Sequence, residues 1–323
     1  MVPEREARII LRVTDRIRVR LYFVLAAACL LPWVGPATAL GGGILFSLLA
    51  GNPAPARTAA FAKVLLQASV VGLGFGLSLG TVVRVGARSA VYTVVGIALT
   101  LALGTLLGRL AGTSGPLSTL ISFGTAICGG SAIAAMAPVV KAKSEEVAIS
   151  LATVFTLNAT ALLLFPAVGH LVHLDQGAFG LWAGLAIHDT SSVVGAASTY
   201  GAPALAVATT VKLTRALWIM PCVLGAALLV RSGEKPKFPL FVAGFVAAAG
   251  VRTLLPSLAP LWGVLVAVAR QSLVVTLFLI GTGLTREVLK RVGVRPLAQG
   301  VALWLLVSAA TLAAIVTGLV PPL

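Results

Sequence analysis

Apolar residues run along this chain in long, unbroken stretches, separated by short clusters of Gly, Pro and basic residues. Eleven stretches can be read, at roughly 19–34, 36–50, 61–80, 89–111, 116–140, 146–171, 177–201, 204–230, 238–255, 258–284 and 296–320. They are continuous rather than alternating, and Ala and Leu dominate them, which predicts helices rather than strands. Most approach the roughly 20 residues that a helix needs to cross the hydrocarbon layer. Lipid offers no hydrogen bonds to a backbone, so a spanning chain must satisfy its own N–H and C=O groups. The pattern therefore predicts an all-α polytopic membrane protein with about 10–11 transmembrane helices. The first two stretches are short and meet at Gly35-Pro36, so 19–50 reads either as one kinked hairpin or as two tilted helices.

Composition strengthens this reading. Residues are 59% hydrophobic and 10% charged, against about 25% charged in soluble domains. The net charge of +15 invites a nucleic-acid reading, but the distribution argues against it. Arg5, Arg8, Arg12, Arg16, Arg18 and Arg20 crowd the N-terminus, and most other basic residues fall between apolar stretches. Basic loops of this kind face the cytoplasm. If every stretch crosses, sixteen basic residues fall on the N-terminal side and five on the other, with Arg84, Arg88, Lys141 and Lys143 as the misfits. The expectation is a multi-pass protein of the cell inner (plasma) membrane with a cytoplasmic N-terminus and no nucleic-acid partner. Residues 1–18 form a basic arm suited to anionic headgroups, followed by a transport domain over 19–323 with approximate halves 36–171 and 177–323. Cys29, Cys128 and Cys222 all lie in apolar stretches, so no structural disulfide is expected, and 21–31 lacks the cleavage site of a signal peptide.

Two internal similarities stand out. Gly76-Leu77-Ser78 followed by Arg84-Val85-Gly86-Ala87-Arg88 resembles Gly283-Leu284-Thr285 followed by Arg291-Val292-Gly293-Val294-Arg295, at an offset of 207. With eleven crossings these run in opposite directions, as an inverted repeat requires. Gly124-Thr125-Ala126-Ile127-Cys128 resembles Gly184-Leu185-Ala186-Ile187-His188. With eleven crossings these run the same way, which does not fit one simple inverted repeat.

Candidate chemistry gathers in three places. The Gly-rich run with Thr125, Cys128, Gly129, Gly130 and Ser131 weakens a helix in mid-span. A broken helix exposes an N-terminus with free N–H donors, which suits an anion; the alternative is a small-residue stripe for close helix packing. Next, His188, Asp189, Thr190, Ser191 and Ser192 sit together some ten residues into an apolar stretch. A mid-membrane carboxylate costs about 2.5–3.5 kcal/mol on insertion scales, so it faces a cavity or a partner. His188 and Asp189 are candidates for ion coupling, against a buried polar lock between helices. Finally, Lys212 and Arg215 share a helix face at i, i+3 and could neutralise Asp189 or hold an anion. Arg270 has the same readings, whereas Asn158 and Gln271 fit helix packing better. His170, His173 and Asp175 make an interfacial polar cap rather than a metal site. No Walker A run, Gly-x-Ser-x-Gly elbow or His-Glu-x-x-His motif is present, so neither ATP-driven transport nor an enzyme is expected. No metal or cofactor is expected either.

The run from Gly124 to Ala135, with Pro138-Val139-Val140-Lys141-Ala142 after it, resembles the hallmark segment of the YeiH-like family named for sulfate export. So do Gly184-x-x-Ile187-His188-Asp189 with Val193-Val194, and Lys212-Leu213-x-Arg215 before Pro221. The chain departs from that pattern at Asp189, where the family commonly has Glu. The family is similar to the bile acid:sodium symporter and cation–proton antiporter superfamily. The resemblance implies an inverted-repeat carrier with broken helices crossing near mid-membrane, exporting sulfate or a related sulfonate. Substrate-binding candidates are then Thr125, Cys128, Gly129, Gly130, Ser131, His188, Ser191, Ser192, Lys212 and Arg215, with Asp189 and His188 for ion coupling. The expected partners are a small anionic solute, the bilayer and a coupling proton or sodium ion, with a homodimer left open. The competing reading is a cation–proton antiporter in which Asp189 is the exchanging carboxylate. A membrane enzyme with His188 as base is a third class.

Overall fold

The computed structural model describes residues 17–230, 240–283 and 293–320. Regular structure among them is helical apart from turns, as the apolar pattern predicts. Most of the basic arm, together with Lys235 and Arg291, lies outside the described residues.

The chain begins with α1 (17–28) and α2 (Pro36–Ala50), which form a short hairpin. The Arg18 guanidinium donates to the Ala50 carbonyl (3.2 Å), so both helices start and finish at the same end of the bundle. Their turn is held by Gln271, whose amide donates to the carbonyls of Cys29 (2.7 Å) and Leu31 (3.0 Å). Those groups have no helical partner at a helix end, so the Gln side chain satisfies what the turn leaves open. Gln271 lies midway along α13 (Ala259–Gly281), so the hairpin turns about halfway through the bundle.

Helix α3 (Pro55–Gly74) then runs to the opposite end, and α4 (Leu79–Ala111) returns. The Ser78 side chain caps α4 at its start, and Gly112, in the left-handed region at φ 65, ends it. At 33 residues α4 is about 50 Å long. Next come α5 (Gly115–Ala126), α6 (Gly130–Met136) and α7 (Ser144–Leu171).

The stretch 116–140 does not cross. The Ser114 hydroxyl donates to Glu146 (2.6 Å), which places the starts of α5 and α7 together. Farther in, Gly124 packs on Val154, so α5 and α7 run parallel. Helix α6 folds back on α5, with Ile133 against Gly124, and returns the chain to Lys143. The stretch 177–201 behaves likewise, from the other end. Helix α8 (Gln176–Ala186) runs antiparallel to α7, with Phe179 against Gly169 and Trp182 stacked on Phe165 at 4.1 Å. Helix α9 (Thr190–Tyr200) comes back, stacking Tyr200 on Phe179 at 3.7 Å and donating its hydroxyl to the Leu174 carbonyl. Both stretches are re-entrant hairpins, inserted from opposite ends.

Helices α10 (Ala202–Leu217) and α11 (Ile219–Val230) together cross back, α12 (Leu240–Leu254) runs parallel to α3, and α13 runs antiparallel to it. Last, α14 (Val294–Val316) starts beside α5, where its Gln299 donates to the carbonyls of Gly104 and Ser118. Among the described residues, end-to-end passages are thus made by α3, α4, α7, α10–α11, α12, α13 and α14. Six of these are long and apolar enough to cross a membrane, and α12 is shorter, at 15 residues. The stretches lie where the sequence places them, but the count of crossings falls because two turn back and the first two make one partial hairpin.

This topology corrects two sequence-based expectations. Lys141 and Lys143, counted with the far side, return with α6 to the end that carries Arg18, Arg109 and Arg295. That leaves Arg84, Arg88 and Arg252 opposite. The second internal similarity also becomes an inverted one, because α5 and α8 enter from opposite ends. Its offset of 60 carries α5–α7 onto α8–α11 in reversed direction. In the first similarity, α3 and α13 run oppositely; most of its second copy, 284–292, is outside the described residues.

The helices pack as two bodies. In one, α2, α3, α12 and α13 lie close through small residues: Gly43 on the Phe278 carbonyl, Gly72 on Ala269, Gly74 on the Phe245 carbonyl. Small residues let backbones approach in lipid. In the other, α4–α11 and α14 surround the two re-entrant hairpins. The bodies meet where α9 and α7 touch α2 and α13, with Leu40, Leu162 and Leu277 in one apolar seam, and where α12 packs on α4 and α10.

Candidate functional site

The two hairpin tips meet beside the middle of α7. Gly129 forms the first tip. Its backbone, at φ 65 and ψ −125, lies in a region that L side chains rarely enter, so this tight reversal requires glycine. A β-carbon there would sit 3.2 Å from the Asp189 Cβ of the second tip. At that tip Ile187 and Asp189 are extended, and the Asp189 carboxylate caps α9 by accepting from the Ser191 N–H (3.0 Å) and the Ser191 hydroxyl. On α7, the Asn158 Oδ1 accepts from the Asp189 N–H (3.4 Å).

Breaking two helices in the interior leaves orphan carbonyls at the ends of α5 and α8. Both basic residues of α10 answer them. The Lys212 ammonium donates to the Ile187 carbonyl (2.6 Å). Arg215 bridges the hairpins, donating through Nε to Ala126 and through Nη1 to Leu185. Helix C-termini carry partial negative charge, so the cations offset it as well as filling the bonds. Lys212 is 0% and Arg215 1% exposed.

Around these contacts lies a group of buried polar atoms without partners. They are Thr125 Oγ1, Asn158 Nδ2, both ring nitrogens of His188 and Arg215 Nη2. An unpaired buried polar group costs about 1–3 kcal/mol, so such a cluster marks a place built for something else. Among the described residues, the N–H groups of Gly130 and Ser131 at the start of α6 also meet no backbone acceptor, and that of Ala132 donates to the Cys128 sulfur. Asp189 is the one acidic group of the tips among the described residues, and Cys128 lies within the electrostatic reach of Lys212, Asp189 and Arg215.

Most residues singled out in the sequence come together here. Thr125, Cys128, His188, Ser191 and Ser192 are buried at the tips, and Gly129 touches Asp189. Gly130 packs against Phe155 and Leu151 of α7. Ser131 is the exception, since it points to the exposed side of α6. Lys212, expected as an anion ligand, donates to the Ile187 carbonyl. The tips are packed rather than open. Two apolar grooves lie elsewhere, one of about 500 Å³ between α2 and α7 and one of about 150 Å³ beside α8 and α14. Arg270 is exposed midway along α13, and Gln271 serves the α1–α2 turn. Asn158, read from sequence as a packing residue, proves to be the link between α7 and the second tip. At the far end, Asp175 caps α8 and His170 stacks on Tyr200, as an interfacial cap would.

A family model described as conserved hypothetical protein 698 matches residues 37–300, which include both hairpins and their tips. The chain belongs to that family. It is 62% identical over 294 residues to a UPF0324 membrane protein of Geobacter sulfurreducens, covering 91% of this chain and 95% of that protein. A UPF0324 membrane protein of Bdellovibrio bacteriovorus is 51% identical over 302 residues, with 91% and 93% covered. One from Bacteroides thetaiotaomicron is 46% identical over 284 residues, with 87% and 86% covered. No solved structure matches the chain. Together with the six membrane-length helices, these relatives establish a polytopic membrane protein of the conserved hypothetical protein 698 family.

Proposed function

We propose that this protein is a secondary carrier of a small inorganic or sulfonate-type anion, held between the two hairpin tips and released by alternating access. One observation carries the reading: re-entrant hairpins from opposite ends meet at mid-depth around unpaired, mostly donor groups. A site approached by one hairpin from each side can be opened to either side by moving one of them. Thr125, Asn158 Nδ2, His188 and Arg215 Nη2 replace part of an oxyanion's hydration shell. Gly129 and Gly130 let the backbone approach, while Cys128, Ser191 and Ser192 line the tips. The packed tips correspond to an occluded conformer.

Export, sulfate as the cargo and a place in the superfamily of ion-coupled symporters and antiporters rest on the family resemblance. The concentration of basic residues at the Arg18 end supports a cytoplasmic N-terminus in the inner membrane. The competing reading, a cation–proton antiporter, is favoured by the half-buried Asp189 at the second tip. Purified protein in proteoliposomes separates them. Radiolabelled sulfate, sulfite or an alkylsulfonate should move in wild type and fall at least tenfold in Arg215→Gln. Failure of all three anions, with sodium–proton exchange abolished in Asp189→Asn, would overturn the anion reading.

A further inference from the structure

Breaking a helix inside a membrane makes two electrically different ends. The N-terminal ends of α6 and α9 present donors, and the C-terminal ends of α5 and α8 present carbonyls. Freed carbonyls at a half-helix C-terminus are the kind of ligand that takes a small hard cation out of water. In this protein the carbonyls of Ala126, Leu185 and Ile187 already hold cations, and both are covalently part of α10. Arg215 takes Ala126 and Leu185, one from each hairpin, and Lys212 takes Ile187 (2.6 Å). Neither has more than 1% of its surface exposed. Lys212 and Arg215 lie one helical turn apart on α10, so one rigid element supplies both charges.

We propose that Lys212 and Arg215 are tethered replacements for a coupling metal ion, so that the tips bind no sodium and the carrier runs independently of it. The proposal deepens the carrier reading by excluding one coupling ion. Arg215 is the permanent part. Its planar guanidinium bridges two carbonyls and keeps its charge. Lys212 is the replaceable part, a compact ammonium on a flexible stem with one carbonyl partner. Cutting its side chain to a methyl removes three methylenes and the ammonium group and leaves the Ile187 carbonyl facing a space that a small free cation can enter. A free cation entering that space restores what the stem supplied.

The test is thermal unfolding of purified full-length protein in detergent, so it stands even if no anion is transported. Wild type, Lys212→Ala and Lys212→Gln are compared in sodium, methylammonium and choline chloride at equal ionic strength. Wild type should unfold at the same temperature in all three salts. Lys212→Ala should unfold earlier in choline and recover saturably with sodium or methylammonium. Lys212→Gln, whose amide still reaches Ile187, should show no such recovery. Saturable stabilisation of wild type by sodium over choline would overturn the proposal, as would Lys212→Ala recovering in neither cation. If Lys212→Ala does not fold, the wild-type titration alone decides. Failed anion transport with a sodium-indifferent wild type would count against the carrier reading and not against the tethered cations.

Discussion

A β-carbon built on Gly129 lies 3.2 Å from the Cβ of Asp189, so the two half-length hairpins touch tip to tip. Gly129 also sits at φ 65 and ψ −125. Gly129→Ala therefore meets two penalties, backbone strain of roughly 1–3 kcal/mol and crowding of the opposite tip. We expect a lower unfolding temperature and loss of anion flux. Gly80→Ala on α4, where an added β-carbon meets nothing within 4 Å, is the control and should behave like wild type.

The hairpins make a topological prediction that full crossings do not. Single cysteines replacing Ser114 and Lys143, in a background lacking the native three, should react with an impermeant maleimide from the same side of the membrane. A cysteine replacing His173 should react from the other side. Labelling of positions 114 and 143 from opposite sides would mean that 116–140 crosses after all.

Asp189 combines two functions that substitution can separate. As the N-cap of α9 it accepts from Ser191, and as a carboxylate it brings negative charge to a donor-rich site. Asn caps nearly as well as Asp, whereas Ala loses about 1 kcal/mol at such a position. Asp189→Asn should keep wild-type stability and change the pH dependence of flux more than substrate selectivity. Asp189→Ala should lower the unfolding temperature as well. Equal stability of the two variants would remove the capping role.

Asn158 is the residue whose importance the sequence concealed. Its Oδ1 accepts from the Asp189 N–H, and its Nδ2 is buried without a partner. Asn158→Asp keeps the acceptor and replaces the free donor by negative charge. Flux should fall at least tenfold through weaker anion affinity, seen as a raised KM, and the buried charge should also lower the unfolding temperature. An unchanged KM would make Asn158 a packing residue only.

The apolar segments, the weak points near Gly129 and Asp189, and the basic pair on α10 were all legible from residue types and spacing. Direction was not. Hydropathy reports how long an apolar run is, and 116–140 is long enough to cross. What turns it back is local: one glycine at positive φ and a seven-residue return helix. At 177–201 the cap at Asp189 does the same work. The signal for it was the paired Gly-x-Ala-Ile runs, whose parallel direction under full crossings was itself a sign that one assumption failed. The partners of Lys212 and Arg215 were hidden for a related reason. They are backbone carbonyls, which no residue type announces, and they become available only once the helices break.

Alternating access asks which parts move, and the packing gives an answer that can be tested. Helices α2, α3, α12 and α13 lock through Gly43, Gly72 and Gly74 against neighbouring backbone and small side chains. The hairpins are locked just as closely to α4, α7, α10 and α14, with Gly180 and Gly184 against α10 and Gln299 binding α4 and α5. Between the bodies the contacts are made by apolar side chains: Leu40, Leu162 and Leu277 form one seam, Gly195 of α9 lies on Leu277, and α12 packs on α4 and α10 through Val242, Phe245 and Ala249. A groove of about 500 Å³ opens beside the seam, lined by Ile44, Ala159 and Leu163. Tight interfaces resist sliding, and an apolar seam beside a void does not. Movement should therefore occur between the bodies, with both hairpins travelling as part of one of them. Joining Leu40→Cys on α2 to Leu162→Cys on α7 with a short bifunctional thiol reagent should stop flux. Joining Ser114→Cys at the start of α5 to Glu146→Cys at the start of α7, an exposed pair within one body, should leave it largely intact. Full flux through the Leu40–Leu162 cross-link would place the moving interface elsewhere, between the hairpins themselves.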